Sequence, residues 1–85
     1  MTFQIFYDKQ PRKFLGKMDK HTAKRIIDKI QEVLPNDPVP HDAKSIVGKH
    51  GVFRIRVGGY RVLYRINYTE NKIIIVEIDK RERIF

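Results

Sequence analysis

The residues best suited by type and spacing to do chemistry are arginines. From Val52 to Ile66 the chain reads VFRIRVGGYRVLYRI, so Arg54, Arg56, Arg61 and Arg65 alternate with Phe53, Ile55, Val57, Tyr60, Val62, Tyr64 and Ile66. Successive side chains of a strand point to opposite faces. The apolar set therefore forms one continuous face, and the four arginines, with Val52 and Leu63, form the other. Gly58-Gly59 reads as a two-residue hairpin turn, which sets Val57 opposite Tyr60 and Arg56 opposite Arg61. Like charges directly opposite one another destabilise a sheet. A face that needed only to be solvated would be blunted equally well by mixed lysine and glutamate, without repulsion. A bound phosphate chain would relieve the repulsion, because the planar guanidinium fork matches phosphate oxygens in a bidentate way.

Arginine stays protonated in proteins, so these side chains can stabilise charge building up on a phosphorane-like transition state but cannot act as a base. The candidates for that role are His50, whose intrinsic pKa is suitable, and Lys44, Lys49 and Lys80, whose pKa values would have to be depressed by neighbouring cations. His21 and His41 fall at a helix start and in a loop and read as structural. No His/Asp spacing suggests a metal site or a catalytic triad. The chain has no cysteine, which removes disulfides, thiolate metal sites and a cysteine nucleophile and suits a reducing cytoplasm. No metal or cofactor is expected.

The elements that position the arginines follow from periodicity. Phe3, Ile5 and Tyr7 alternate with Thr2, Gln4 and Phe6 as a first strand. Asp8 caps a short helix carrying Phe14, Leu15 and Met18, with Pro11 tolerated in its first turn and Gly16 weakening its end. Asp19 caps a second helix whose Ala23, Ile26, Ile27, Ile30, Val33 and Leu34 form one stripe. Its other face, with Lys20, Lys24, Arg25, Asp28, Lys29 and Glu32, mixes signs and reads as solvated. Three prolines in residues 35–40 (PNDPVP) end that helix in a stiff loop. Strands follow over 52–57, 60–66 and 72–78, the last (KIIIVEI) nearly continuously apolar and so interior to the sheet. Beyond it DKRER extends polar groups, with Glu77, Asp79 and Arg81 sharing the arginine face, where the acids could orient the neighbouring arginines.

The predicted order is βααβββ, an α+β domain over residues 1–85 with an antiparallel-rich twisted sheet and both N-terminal helices on one face. At 85 residues there is room for one modest core. Eighteen Lys and Arg against ten Asp and Glu give +8, a field attractive to polyanions or to an acidic protein. The N-terminus lacks the pattern of a signal peptide, and no apolar stretch reaches the roughly 20 residues a membrane span needs. A cytoplasmic protein without membrane association is expected.

These features together resemble the RelE/ParE toxin superfamily over nearly the whole chain. The resemblance is carried by the βαα start, Lys44-Ser45-Ile46-Val47-Gly48 ahead of the basic strand, FRIRVGGYRVLYRI with its Gly59-Tyr60-Arg61 turn exit, and the late KRERIF. It implies the RelE-like fold of the microbial RNase type. It also implies a metal-independent mRNA interferase that cuts in the ribosomal A site by attack of the ribose 2′-hydroxyl on the adjacent phosphate. Arg54 and Arg56 match the family's two basic strand positions, Arg61 its Gly-Tyr-Arg arginine and Arg81 its late arginine, which makes these four the catalytic candidates. Arg65, Lys44, Lys49, Lys80, Arg83 and Phe85 are candidate RNA contacts. Phe85 stands where the family often places a tyrosine, and it can stack on a base but cannot exchange a proton.

The resemblance further implies a cognate RelB-like antitoxin in a heteromeric complex. The +8 surface predicts acidic residues on that partner, on a segment ordered by binding, and the exposed edge of the first strand or of strand 52–57 offers a place for strand addition. Ribosome and mRNA are the remaining partners, with DNA reached only through the antitoxin. Two other functions share the fold: a ParE-like toxin that inhibits a topoisomerase, and a catalytically degenerate RNA-binding module.

Overall fold

The computed structural model describes residues 2–80; Arg81, Arg83 and Phe85 lie outside the described residues. The elements run β1 (Gln4–Tyr7), α1 (Lys9–Lys17), α2 (Lys20–Val33), β2 (Lys44–Ser45), β3 (Val52–Val57), β4 (Tyr60–Asn67) and β5 (Lys72–Lys80). The strands form one sheet in the order β1-β5-β4-β3-β2. β1 lies parallel to β5, and every other pairing is antiparallel. The α+β architecture expected from the sequence is the one found, with β2 as an added short strand. β5, placed in the interior by its apolar run, has β1 on one side and β4 on the other.

Both expected helix caps form. Asp8 accepts from the Lys9 N–H at 3.0 Å, and Asp19 accepts from the Thr22 N–H at 3.1 Å. The Asp19 carboxylate is held below its ordinary pKa by its hydrogen bonds to Thr22. The cap of α2 is therefore intact at neutral pH and loses its contribution as acidification protonates it. Ile26, Ile30 and Leu34 of the predicted stripe are buried against Ile55, Val62, Tyr64, Ile66, Ile73, Ile75 and Ile78, with Phe14, Leu15, Phe53, Val57 and Tyr60 packed around them. The core thus lies between the helices and one face of the sheet, and Lys24 pairs with Asp28 at 2.7 Å on the solvated side of α2.

Two contacts hold the layers in register. The proline-rich loop closes over the sheet, because the Tyr64 hydroxyl donates to the Pro38 carbonyl at 2.7 Å. Where β1 ends, α1 continues to satisfy β5. Gln10 Nε2 donates to the Ile78 carbonyl and its Oε1 accepts from the Ile78 N–H, each at 2.9 Å. One side chain therefore satisfies both backbone groups of a buried strand residue. Gln10→Ala should cost about 1–3 kcal/mol in a urea titration, the order expected for partly buried backbone groups left unpaired. A loss below the error of the titration would show that water replaces both bonds.

The sheet edges differ from expectation at one point. Strand addition had two candidate edges, β1 and residues 52–57, but β2 pairs Lys44 with Arg54 and Ser45 with Phe53, so the first half of β3 is covered. The hydrophobic alternation of β3 cannot reveal this, since β2 contributes only two exposed residues with no periodicity of their own. β1 remains the longer open edge among the described strands.

Candidate functional site

The hairpin forms in the register read from its glycines. Val57 lies opposite Tyr60, and Arg56 lies opposite Arg61. Gly58 takes φ +60, a left-handed value at the first turn position that glycine adopts without strain. The arginine face can then be followed row by row across the sheet. One row runs Arg56, Arg61, Asp79 from β3 to β5. The next runs Lys44, Arg54, Leu63, Glu77, starting on β2. A third runs Val52, Arg65, Ile74, Phe6 and ends on β1. A register shift between Leu63 and Tyr64 leaves Val76 without a partner in β4, and this bulge is what brings Glu77 and Ile74 to the same face although they lie three positions apart, an odd spacing.

Arg56 and Arg65 are exposed, and Arg54 and Arg61 are half-buried. Among the described residues no ion pair reaches any of the four. Asp79 is Arg61's cross-strand neighbour, yet its Oδ1 accepts from the Lys80 N–H at 2.8 Å, and Glu77 likewise makes no ion pair with Arg54. Arg61 Nε is buried without a hydrogen-bond partner. A buried charged donor left unmatched is costly, and an anionic oxygen is the group that would satisfy it.

The like-charge pair gives a direct stability prediction. Arg56→Gln removes the repulsion with Arg61 and keeps a polar side chain with most of the aliphatic stem, so the free protein should melt higher, by about 0.2–1 kcal/mol of added stability. The gain should shrink as salt is added. A lower melting temperature at low salt would show that the two guanidiniums do not oppose each other.

The structure does not gather all the predicted residues. Lys44 joins the face beside Arg54. Lys49 and His50 are exposed on the loop before β3, and His50 lies six residues along the strand direction from Arg56, about 20 Å away in extended chain. Lys80 is opposite Tyr60, so its position belongs to the helix-bearing face at the end of β5. Neither His50 nor Lys80 is thereby aligned with the Arg56–Arg61 pair. Two residues of the face that the sequence did not single out are Phe6 and Lys72. The signal for Phe6 was present in the alternation of β1, which sets it apart from Ile5 and Tyr7, but only the pairing of β1 with β5 brings it to the arginines. Among the described residues no group of His, Cys, Asp or Glu could hold a metal ion, and no helix is long and apolar enough to cross a membrane.

An arginine face without an ion pair among the described residues, on a five-stranded sheet backed by two helices, defines a small basic α+β fold. Known proteins place it. The family model for the ParE toxin of type II toxin-antitoxin systems, parDE, matches residues 5–85, and the chain belongs to this RelE/ParE superfamily of toxins. The RelE1 protein of Methanocaldococcus jannaschii is 32% identical over 85 residues, covering 96% of this chain and 93% of that protein. A chain of the archaeal RelE-RelB complex from Pyrococcus horikoshii superposes with a TM-score of 0.82 at 30% identity, over 98% of this chain and 99% of that one. The toxin-antitoxin complex RelBE2 of Mycobacterium tuberculosis contains the same fold, with a TM-score of 0.81 at 23% identity over 95% of this chain and 100% of that one.

Proposed function

We propose that this toxin is a ribosome-dependent, metal-independent endoribonuclease that cleaves mRNA in the A site by attack of the ribose 2′-hydroxyl on the adjacent phosphate. The observation that carries the reading is the Arg56–Arg61 pair, unneutralised by any ion pair among the described residues and with Arg61 Nε buried and unmatched. A phosphate between these guanidiniums would turn a repulsive arrangement into an attractive one. As negative charge accumulates on its oxygens during in-line attack, the interaction strengthens, which is the differential binding that lowers a barrier. Arg54 and Lys44 extend the cationic surface along one row, and Arg65 along another. Arg81, Arg83 and Phe85, which the family resemblance adds to this reading, lie outside the described residues.

The proton-transfer partners in this reading are not supplied by the arginines. Part of the active arrangement would come from the ribosome, whose own groups present the codon. In the cell the toxin would be held by a RelB-like antitoxin with acidic residues that meet the +8 chain, and would reach DNA only through that complex. The archaeal and mycobacterial structures that share its fold are themselves toxin-antitoxin complexes. A cytoplasmic location follows from a ribosomal target.

Primer extension on mRNA in ribosomal complexes with an empty A site tests the proposal. Wild type should cut within the A-site codon, should leave free mRNA uncut, and should fail on a codon carrying a 2′-deoxy nucleotide at the scissile position. Absence of cleavage by folded protein on competent ribosomes would move the function to ParE-like topoisomerase inhibition or to RNA binding without cleavage.

A further inference from the structure

The arginine face continues past β5 to the edge strand. In the row of Arg65 the register runs through Ile74 to Phe6, so an aromatic ring that is 43% exposed lies on the open face of the sheet. Ile5 and Tyr7 occupy the core-facing positions of β1, so the ring is not needed to close the core. Lys72, one row further along, places its Nζ 5.4 Å from the centroid of the Phe6 ring and 3.2 Å from Glu70 Oε1. An exposed phenylalanine with a lysine beside its ring and an arginine two strand spacings away in the same row is a poor use of a solvated surface and a good one for a nucleobase, whose π-face stacks on aromatic rings while its phosphate meets the cations.

We infer that Phe6, with Ile74 and Lys72 beside it and Arg65 beyond Ile74 in the same row, is a stacking subsite for one base of single-stranded RNA. The inference deepens the proposed function and rests on it. Phe6 and Arg61 lie two strand spacings apart across the sheet, with β5 between them, and four residues apart along it, about 16 Å in all. The base on Phe6 is therefore a neighbour of the scissile nucleotide a few positions away. Arg65 lies between, two strands from Phe6 and four residues from Arg61, where it meets the connecting phosphate. The Lys72–Glu70 pair is a surface ion pair, of the kind that contributes little, so a phosphate can draw Lys72 away from Glu70 and uncover the ring. A protein strand added at the β1 edge would also cover Phe6. The charge of the surrounding face favours RNA.

The test is the affinity of non-cleavable 2′-O-methyl oligonucleotides of increasing length, measured at low salt for wild type, Phe6→Ala, Phe6→Tyr and Arg61→Ala. For wild type, affinity should rise five- to a hundredfold at the length that first reaches Phe6, the range for one stacked base. Phe6→Ala should match wild type on shorter oligonucleotides and lack that step, and Phe6→Tyr should keep it. An abasic residue at the stacked position should cost wild type the same factor and Phe6→Ala nothing. Arg61→Ala should weaken every length yet retain the step. If Phe6→Ala follows the wild-type profile throughout, the inference is overturned, the arginine site stands, and the ring belongs to a protein partner. If wild type binds no better than Arg61→Ala at any length and shows no step, both readings fall together.

Discussion

Arg61→Ala should reduce A-site cleavage by about two to three orders of magnitude while the protein melts at or slightly above the wild-type temperature. The size follows from removing one preorganised donor from a site where charge develops on phosphate oxygens. The stability follows from the free protein. Arg61 faces Arg56 across the hairpin and its Nε is buried with no partner, so truncation relieves a repulsion and an unmatched donor together. Lysine at the same position should recover only part of the activity, since it supplies the charge without the bidentate fork. Cleavage at the wild-type rate by a folded Arg61→Ala protein would remove the residue from the reaction, and unfolding would show that its aliphatic stem, and not its charge, is what matters.

The largest expected loss of stability is at Tyr64. It is completely buried at the centre of the sheet, stacks on Phe53 with ring centroids 6.1 Å apart, and ties the proline-rich loop down through Pro38. Tyr64→Ala should cost about 3–5 kcal/mol, as large-to-small changes of buried aromatics do, a major share of what an 85-residue domain possesses. Tyr64→Phe keeps the packing and should cost only about 1 kcal/mol for the lost hydrogen bond. The two variants separate further with pH. Burial, and then the carboxylates of Asp42 and Asp37, push the Tyr64 hydroxyl's pKa up. The folded state keeps it neutral while an unfolded tyrosine ionises near pH 10, so its contribution is complete below about pH 10 and is lost as the pH rises further. Tyr64→Phe should therefore lose less stability between neutral and alkaline pH than wild type. The difference is partial, because burial also raises the pKa of Tyr7. Equal alkaline slopes in denaturant titrations would contradict the burial of this hydroxyl.

The contrast between these two positions shows what the sequence could and could not say. Arg61 was legible because its position depends only on alternation and a two-residue turn, both local. Gly58-Gly59 admitted one economical register, and from it came the opposition to Arg56. The stripe Ile26, Ile30, Leu34 was legible for the same reason. Tyr64 could be assigned to the core but not to Pro38, since nothing local states that a loop many residues earlier returns to cap it. The two-residue β2 lacked any periodicity. The β5 bulge was hidden inside an apolar run, where a slip of one residue changes no hydropathy. Phe6 is the most instructive of these residues. Its place outside the core was readable from β1 alone, yet its membership of the arginine face depends on the parallel pairing of the first strand with the last.

The claim on which the rest depends is that RNA meets the helix-free face of the sheet. Backbone amide chemical shifts during titration with a non-cleavable 2′-O-methyl RNA oligonucleotide test it directly, because weak binding suffices. The expected result is perturbation clustered at Arg54, Arg56, Arg61, Arg65, Glu77 and Asp79, reduced by added salt, with Lys24 to Glu32 on the solvated side of α2 unaffected. Perturbation centred on α1 and α2, with the arginine strands silent, would contradict it.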